Sequence, residues 1–193
     1  MSHGLPRRSF DTWTVRSIVT TMIPLLIVLS ILEMGSGLVL ETLEETYLAN
    51  PTLLILVPVM IDMGGNLGSI LSSRLSTRLH LGTLSFSPRD VALWTNVAAI
   101  LGLAVTIFAA LAVAAYGIGR LYAGPMAFSD LLVISMVSGM VLAFVAVVLS
   151  IAASYASYRL GLDPDDTTIP IVTNLCDILG VVILSVVALM VLG

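Results

Sequence analysis

Lysine is absent from the 193 residues, and cysteine occurs once, at Cys176. A single cysteine excludes an intramolecular disulfide and a cysteine-based metal cluster. Charge of either sign is scarce: eight arginines and twelve acids make up 10% of the chain, for a formal net charge of −4. That balance carries no electrostatic footprint for nucleic acid, so none is expected as a partner. His80 stands alone, without the neighbouring soft ligands that zinc or copper sites need. Once the apolar runs are set aside, no stretch is long enough for a soluble domain.

What remains is 58% hydrophobic, with a mean hydropathy of +1.09. Its repeated apolar runs are long enough to span a hydrocarbon core of ~30 Å. The expectation is an all-α integral membrane protein of five transmembrane helices, over about 17–40, 52–79, 91–118, 130–158 and 168–192. The first run is too long for a signal-peptide core and lacks a convincing cleavage site, so it reads as a retained helix. Residues 1–16 form a short N-terminal segment and 17–193 the membrane domain, with Trp13 and Arg16 as an interfacial anchor.

Five spans place the termini on opposite sides. Arg7, Arg8, Arg16, Arg74, Arg78, Arg89 and Arg159 fall on one side and only Arg120 on the other. The excess of arginine puts the N-terminus in the cytoplasm and the C-terminus outside. The expected location is a cell membrane, as a multi-pass protein in the plasma membrane of a prokaryote. An odd number of helices offers no internal two-fold repeat, so a pore needs a second subunit.

Span 2 departs from a plain membrane helix. In PVMIDMGGNLGSILSSRLSTRLHLG, residues 58–82, an apolar run meets Asp62, Met63, Gly64, Gly65 and Asn66. Paired glycines lower helix stability and admit close approach of another backbone or an ion. The expectation is a broken helix over 62–66, since irregular backbone at membrane depth survives only where it is buried in protein or lines a watery cavity. The competing reading makes Gly64-Gly65 a tight packing contact and Asn66 a polar link between helices.

Three acids fall within spans: Glu33, Asp62 and Asp177. An acid at the bilayer centre costs roughly 2.5–3.5 kcal/mol on insertion scales. No basic residue lies at the same depth, so these groups either take up protons or hold cations. The accompanying groups are oxygen donors: Asn66, Thr173, Asn174 and the carbonyls freed at the 62–66 break, Gly65 among them. Such ligands suit Mg²⁺ or Ca²⁺. On span 5, Thr173, Asn174 and Asp177 line one helical stripe that ends at Gly180. Mg²⁺ dehydrates reluctantly, so a conducting site holds the hydrated ion through a few carboxylates and carbonyls. The plainer alternatives are a hydrogen-bonded structural acid at Asp177 and local satisfaction of Glu33 by Ser36.

These residues resemble a known group. Residues 58–82 look like the signature of MgtE-type magnesium transporters and their eukaryotic solute-carrier relatives, where a proline, an apolar stretch, Gly-Asn and a small polar helix recur. SRLST, residues 73–77, followed by Gly82, is closer to the solute-carrier branch. DPDDTTIPIVTNLCDILG, residues 163–180, is similar to the family's Asp-Pro loop leading into a proline-containing last helix with a pore aspartate. Glu33 and Gly37 fit the pattern loosely.

The resemblance implies a dimeric five-helix domain with Mg²⁺ as the transported ion. The pore would lie at the subunit interface, lined by the second and fifth helices. Asp177 matches the pore carboxylate and Asn66 the Gly-Asn motif, with Thr173 one turn from the aspartate. Asp62 departs from the pattern, in which this position is usually not acidic. Bacterial members carry cytoplasmic sensor domains, whereas about fifteen residues precede span 1 here; eukaryotic relatives fuse two membrane units. The expected partners are a second copy or a related membrane domain, the bilayer, and a separate cytoplasmic regulatory subunit. Three other readings stand beside Mg²⁺ transport. One is exchange coupled to H⁺ or Na⁺. Another is a membrane subunit acting only within an assembly. The third is an intramembrane aspartyl protease with an Asp62–Asp177 dyad, which lacks its Gly-x-Gly-Asp motif.

Overall fold

The computed structural model describes residues 15–87, 89–122, 126–160, 162 and 164–193. The anchor residues Arg7, Arg8 and Trp13 lie outside the described residues, as do Pro88, Gly124, Pro125, Gly161 and Asp163. All regular structure among the described residues is helical: α1 (Val15–Thr42), α2 (Glu44–Ala49), α3 (Pro51–His80), α4 (Val91–Tyr122), α5 (Phe128–Leu160) and α6 (Pro164–Leu192). Five of these are long and apolar enough to cross a membrane, as the apolar runs require. α3 and α6 each begin on a proline, which at the first helical position loses no hydrogen bond. The short α2, inside the acidic 41–50 link, is an element the apolar pattern does not announce.

Small residues dictate how the long helices meet. α3, α4, α5 and α6 form the packed body, and α1 packs mainly on α6 with most of its surface uncovered among the described residues. Along α5, Ser135, Ser138, Gly139, Ser150, Ser154 and Ser157 are all buried, the close-packing stripe their helical spacing predicts. Ser135 Oγ donates to the Phe108 carbonyl of α4 at 2.8 Å, and Ser150 Oγ to the Gly68 carbonyl of α3 at 2.9 Å. The buried hydroxyls of Ser72, Ser138 and Ser154 have no hydrogen-bond partner among the described residues; their small size is what the seam uses. At one end, Tyr47 of α2 hydrogen-bonds Ser185 of α6 at 2.8 Å, both residues buried. At the other end, Ser157 meets Thr167 at 2.8 Å. There too Phe86 stacks edge-on against Tyr155, with centroids 5.1 Å apart, and Arg159 lies over the Tyr155 ring.

The expected break in span 2 is not there. α3 runs unbroken from Pro51 to His80, through Pro58 and through Gly64-Gly65. The 62–66 carbonyls therefore stay within the helix, and that of Gly65 also accepts a bond from Ser69 Oγ at 2.9 Å. The glycines serve close approach instead. A Cβ on Gly64 would lie 2.5 Å from Leu142 Cδ2, and one on Gly68 2.5 Å from Val172 Cγ1. Gly64 and Gly68 are one turn apart, the small-xxx-small spacing of tight membrane helix pairs. Packing against α5 and α6 supplies what the glycines' helix propensity withholds.

Caps set the ends of the 81–90 turn. Gly82 has φ +65°, and the N–H groups of Gly82 and Thr83 bond the Leu79 and Arg78 carbonyls, a glycine-dependent helix stop. Asp90 opens α4: its carboxylate accepts bonds from the N–H groups of Ser85, Ala92 and Leu93 and from Ser85 Oγ. The Ser85 backbone bond, reinforced by the others, holds the Asp90 carboxyl below the usual carboxylate range. A depressed folded-state pKa stabilises above the unfolded value and is lost as pH falls through the folded one. Asp90→Ala is therefore expected to lower the thermal midpoint at neutral pH. The gap from wild type should close on acidification below the normal carboxylate range; a gap that persists there would assign it to side-chain packing.

Candidate cation site

Three polar side chains of α6 lie near the middle of its span. Thr173 Oγ1 donates to the Ile169 carbonyl at 2.9 Å and Asn174 Nδ2 to the Pro170 carbonyl at 3.1 Å. The threonine hydrogen and one amide N–H of Asn174 are thus used inside their own helix, and the oxygens of both side chains remain able to accept. Asp177 follows one turn beyond Thr173, half-buried, with its carboxylate free of hydrogen bonds among the described residues. α3 comes close at this point because it has no side chain there. A Cβ on Gly65 would stand 2.9 Å from Thr173 Cγ2 and 3.1 Å from Asp177 Oδ1. Gly65 therefore brings the α3 backbone against the threonine and the carboxylate together. Gly180, one turn past Asp177, lets α6 approach Ile61 of α3, at 3.7 Å from its would-be Cβ to the Ile61 Cα.

On the next face of α3, Asn66 Nδ2 donates to Asp62 Oδ2 at 2.9 Å, and both side chains are exposed. Here again one amide N–H serves an acceptor on its own helix, and the amide oxygen and the second carboxylate oxygen accept no hydrogen bond among the described residues. Glu33 of α1 is half-buried; Ser36 Oγ donates to its backbone carbonyl at 2.7 Å rather than to its carboxylate. α1, which carries Glu33, packs against α6. The nearest arginine along α3, Arg74, stands twelve residues from Asp62. Among the described residues no three of the acids, cysteines and histidines approach closely enough to ligate one bare ion.

The structure joins Asp62 to Asn66, and Gly65 to Thr173 and Asp177; Glu33 is carried on α1, which packs against α6, and no contact joins its carboxylate to them among the described residues. Asn174 is tied to its own helix. Cys176 is fully buried against the Gly68 side of the α3–α6 contact, a packing position. Sequence reasoning missed Asn96 as a partner of Arg74, whose Nη1 donates to its Oδ1 at 3.4 Å; the signal available was an amide in an otherwise apolar span.

The arrangement presents acceptor oxygens beside a carboxylate that meets no basic side chain among the described residues. Such a surface suits the water shell of a hard cation, whose waters donate outward. Residues 57–187, more than half of the chain, match the family model described as MgtE, divalent cation transporter. The match takes in most of α3, all of α4 and α5, and α6 past Asp177; Glu33 lies outside it.

Proposed function

This chain belongs to the MgtE family of divalent cation transporters, and from that premise we propose that it carries Mg²⁺ across the membrane as a hydrated ion. As a multi-pass membrane protein of a transporter family it is read as a conductor of ions rather than an enzyme. The observation that carries the reading is the close approach of α3 to α6 at Gly65, which sets the α3 backbone beside Thr173 and the Asp177 carboxylate, with Asp62 and Asn66 joined on the next face of α3. Thr173, Asn66 and Asn174 add acceptor oxygens, with the threonine hydrogen and one N–H of each amide already engaged.

The ion path runs at a two-fold interface between two membrane units, either two copies or this chain and a related one. Support comes from Asp62 and Asn66, which are exposed near the middle of α3. A carboxylate there is costly against hydrocarbon, and a second subunit would enclose it. With the N-terminus in the cytoplasm, in a prokaryotic plasma membrane, the ion enters down its potential. Each of its charges gains ~2.3 kcal/mol per ~100 mV. A separate cytoplasmic subunit is a fitting regulator. Exchange coupled to H⁺ or Na⁺ is the second reading, favoured by the extra carboxylate at Asp62. The Asn66 bond to Asp62 argues against a proton-sharing aspartyl dyad with Asp177.

Proteoliposomes containing this chain alone are expected to take up Mg²⁺ with an inside-negative potential and without added sodium. Uptake that requires a sodium or proton gradient would establish exchange instead. Folded, dimeric protein that moves no divalent ion under any gradient would overturn the reading.

A further inference from the structure

A second polar feature lies at the far end of α3 from α2, where α3 stops and α4 begins. A cavity of about 460 Å³ is lined by Arg74, Thr77, Arg78, Leu81, Thr83 and Asn96. Arginines at helix ends ordinarily reach individually toward water or headgroups. These two stand one turn apart on one face of α3, a like-charge spacing that is mildly unfavourable unless something lies between them. No acid lines the cavity, and among the described residues neither guanidinium meets a carboxylate.

The cavity also has a built wall. Asn96 is 5% exposed, and its Nδ2 donates to the Ala92 carbonyl at 2.8 Å. That bond turns its oxygen toward Arg74, which it holds at 3.4 Å. A buried amide thus positions one guanidinium and leaves most of its N–H groups, and all those of Arg78, unpartnered among the described residues. Thr83 Oγ1 ties the loop back to the Arg78 carbonyl at 3.3 Å, which fixes the floor beneath the second arginine. Two planar forks facing one space match an anion whose oxygens can accept from both, as the non-bridging oxygens of a phosphate do in a phospholipid diester or in free phosphate.

We propose that the cavity formed by Arg74, Arg78, Thr77, Thr83 and Asn96 is a binding site for a phosphoryl group. The group comes either from the headgroup of an anionic phospholipid at the membrane boundary or from a soluble phosphate. The site is independent of the ion path, and it ties the end of α3 to that of α4.

The test uses the full chain in nanodiscs. In one arm, discs of phosphatidylcholine are titrated with inorganic phosphate; in the other, phosphatidylglycerol is added to the discs. The thermal midpoint and lipid retained in native mass spectrometry are read for each variant against its own ligand-free state. Ligand that binds the folded protein raises its midpoint. A rise with phosphate assigns the soluble source, and a rise with phosphatidylglycerol the headgroup. The double substitution Arg74→Gln with Arg78→Gln is expected to weaken the effective probe roughly tenfold or more. Arg74→Lys with Arg78→Lys keeps the charge without the fork and should fall between. Arg120→Gln, at the opposite end of the bundle, should leave binding unchanged. Absence of binding by wild type in both arms, or binding that survives the double glutamine variant, would overturn the proposal.

Discussion

Asp177→Asn is expected to reduce divalent-cation uptake roughly 10–100-fold, the usual loss when a group acting through an ion's outer shell is removed. The substitution keeps the shape of the side chain and exchanges a charge for a dipole. It also introduces N–H donors where a hydrated ion presents donors of its own, so attraction is lost and orientation opposed. Folding should survive, because the Asp177 carboxylate accepts no hydrogen bond among the described residues and asparagine fits beside Gly65 as aspartate does. The thermal midpoint and elution volume of the variant should match wild type or exceed it. Asp62→Asn should be milder, since Asp62 is exposed and already shares its charge with Asn66. Uptake by Asp177→Asn equal to wild type, in protein of equal quality, would remove Asp177 from the ion path. A smaller effect there than at Asp62 would move the path outward on α3.

The largest structural effect is expected at Gly139. A Cβ there would run into the ring of Phe108, whose atoms are all three of its nearest neighbours. Phe108 is fully buried in the core between α4 and α5, so the ring has no solvent to swing into. Gly139→Ala should destabilise by about 1–3 kcal/mol, the range for overpacking, despite alanine's better helix propensity. Pairing it with Phe108→Leu should recover much of the loss, and the size of the recovery measures the contact directly. Gly102→Ala is the control, since nothing lies within 4 Å of its would-be Cβ. There the propensity term acts alone, and stability should hold or rise by up to about 1 kcal/mol. Thermal or denaturant unfolding in detergent reads all four proteins. If Gly139→Ala is as stable as wild type, α4 and α5 do not approach through this glycine.

Much of this protein is legible in one dimension. A helix that crosses hydrocarbon must satisfy its own backbone and show apolar side chains over its length. Both requirements are local, so the five spans stand out from hydropathy alone, and the two motifs around Asn66 and Asp177 point to the family. The serine and glycine spacing of α5 likewise announces a packing face. What the chain does not spell out is which partner each small residue meets. Gly64-Gly65 is compatible with a broken helix or a close contact, and local propensity favours the break. The decision falls to Leu142 on α5 and to Val172, Thr173 and Asp177 on α6, distant in sequence, whose packing outweighs the intrinsic weakness of glycine. The same holds for the polar groups. Composition supplies three acids and three neutral oxygen donors. Only the folded bundle shows that Asn66 turns to Asp62, that Thr173 and Asn174 hydrogen-bond back on their own helix, and that Asp177 stands with Thr173 against the α3 backbone. Residue type determined that this protein lives in a membrane and carries acids within its spans. Contacts between distant segments decided where those acids stand, because side-chain packing depends on neighbours that spacing along the chain does not specify.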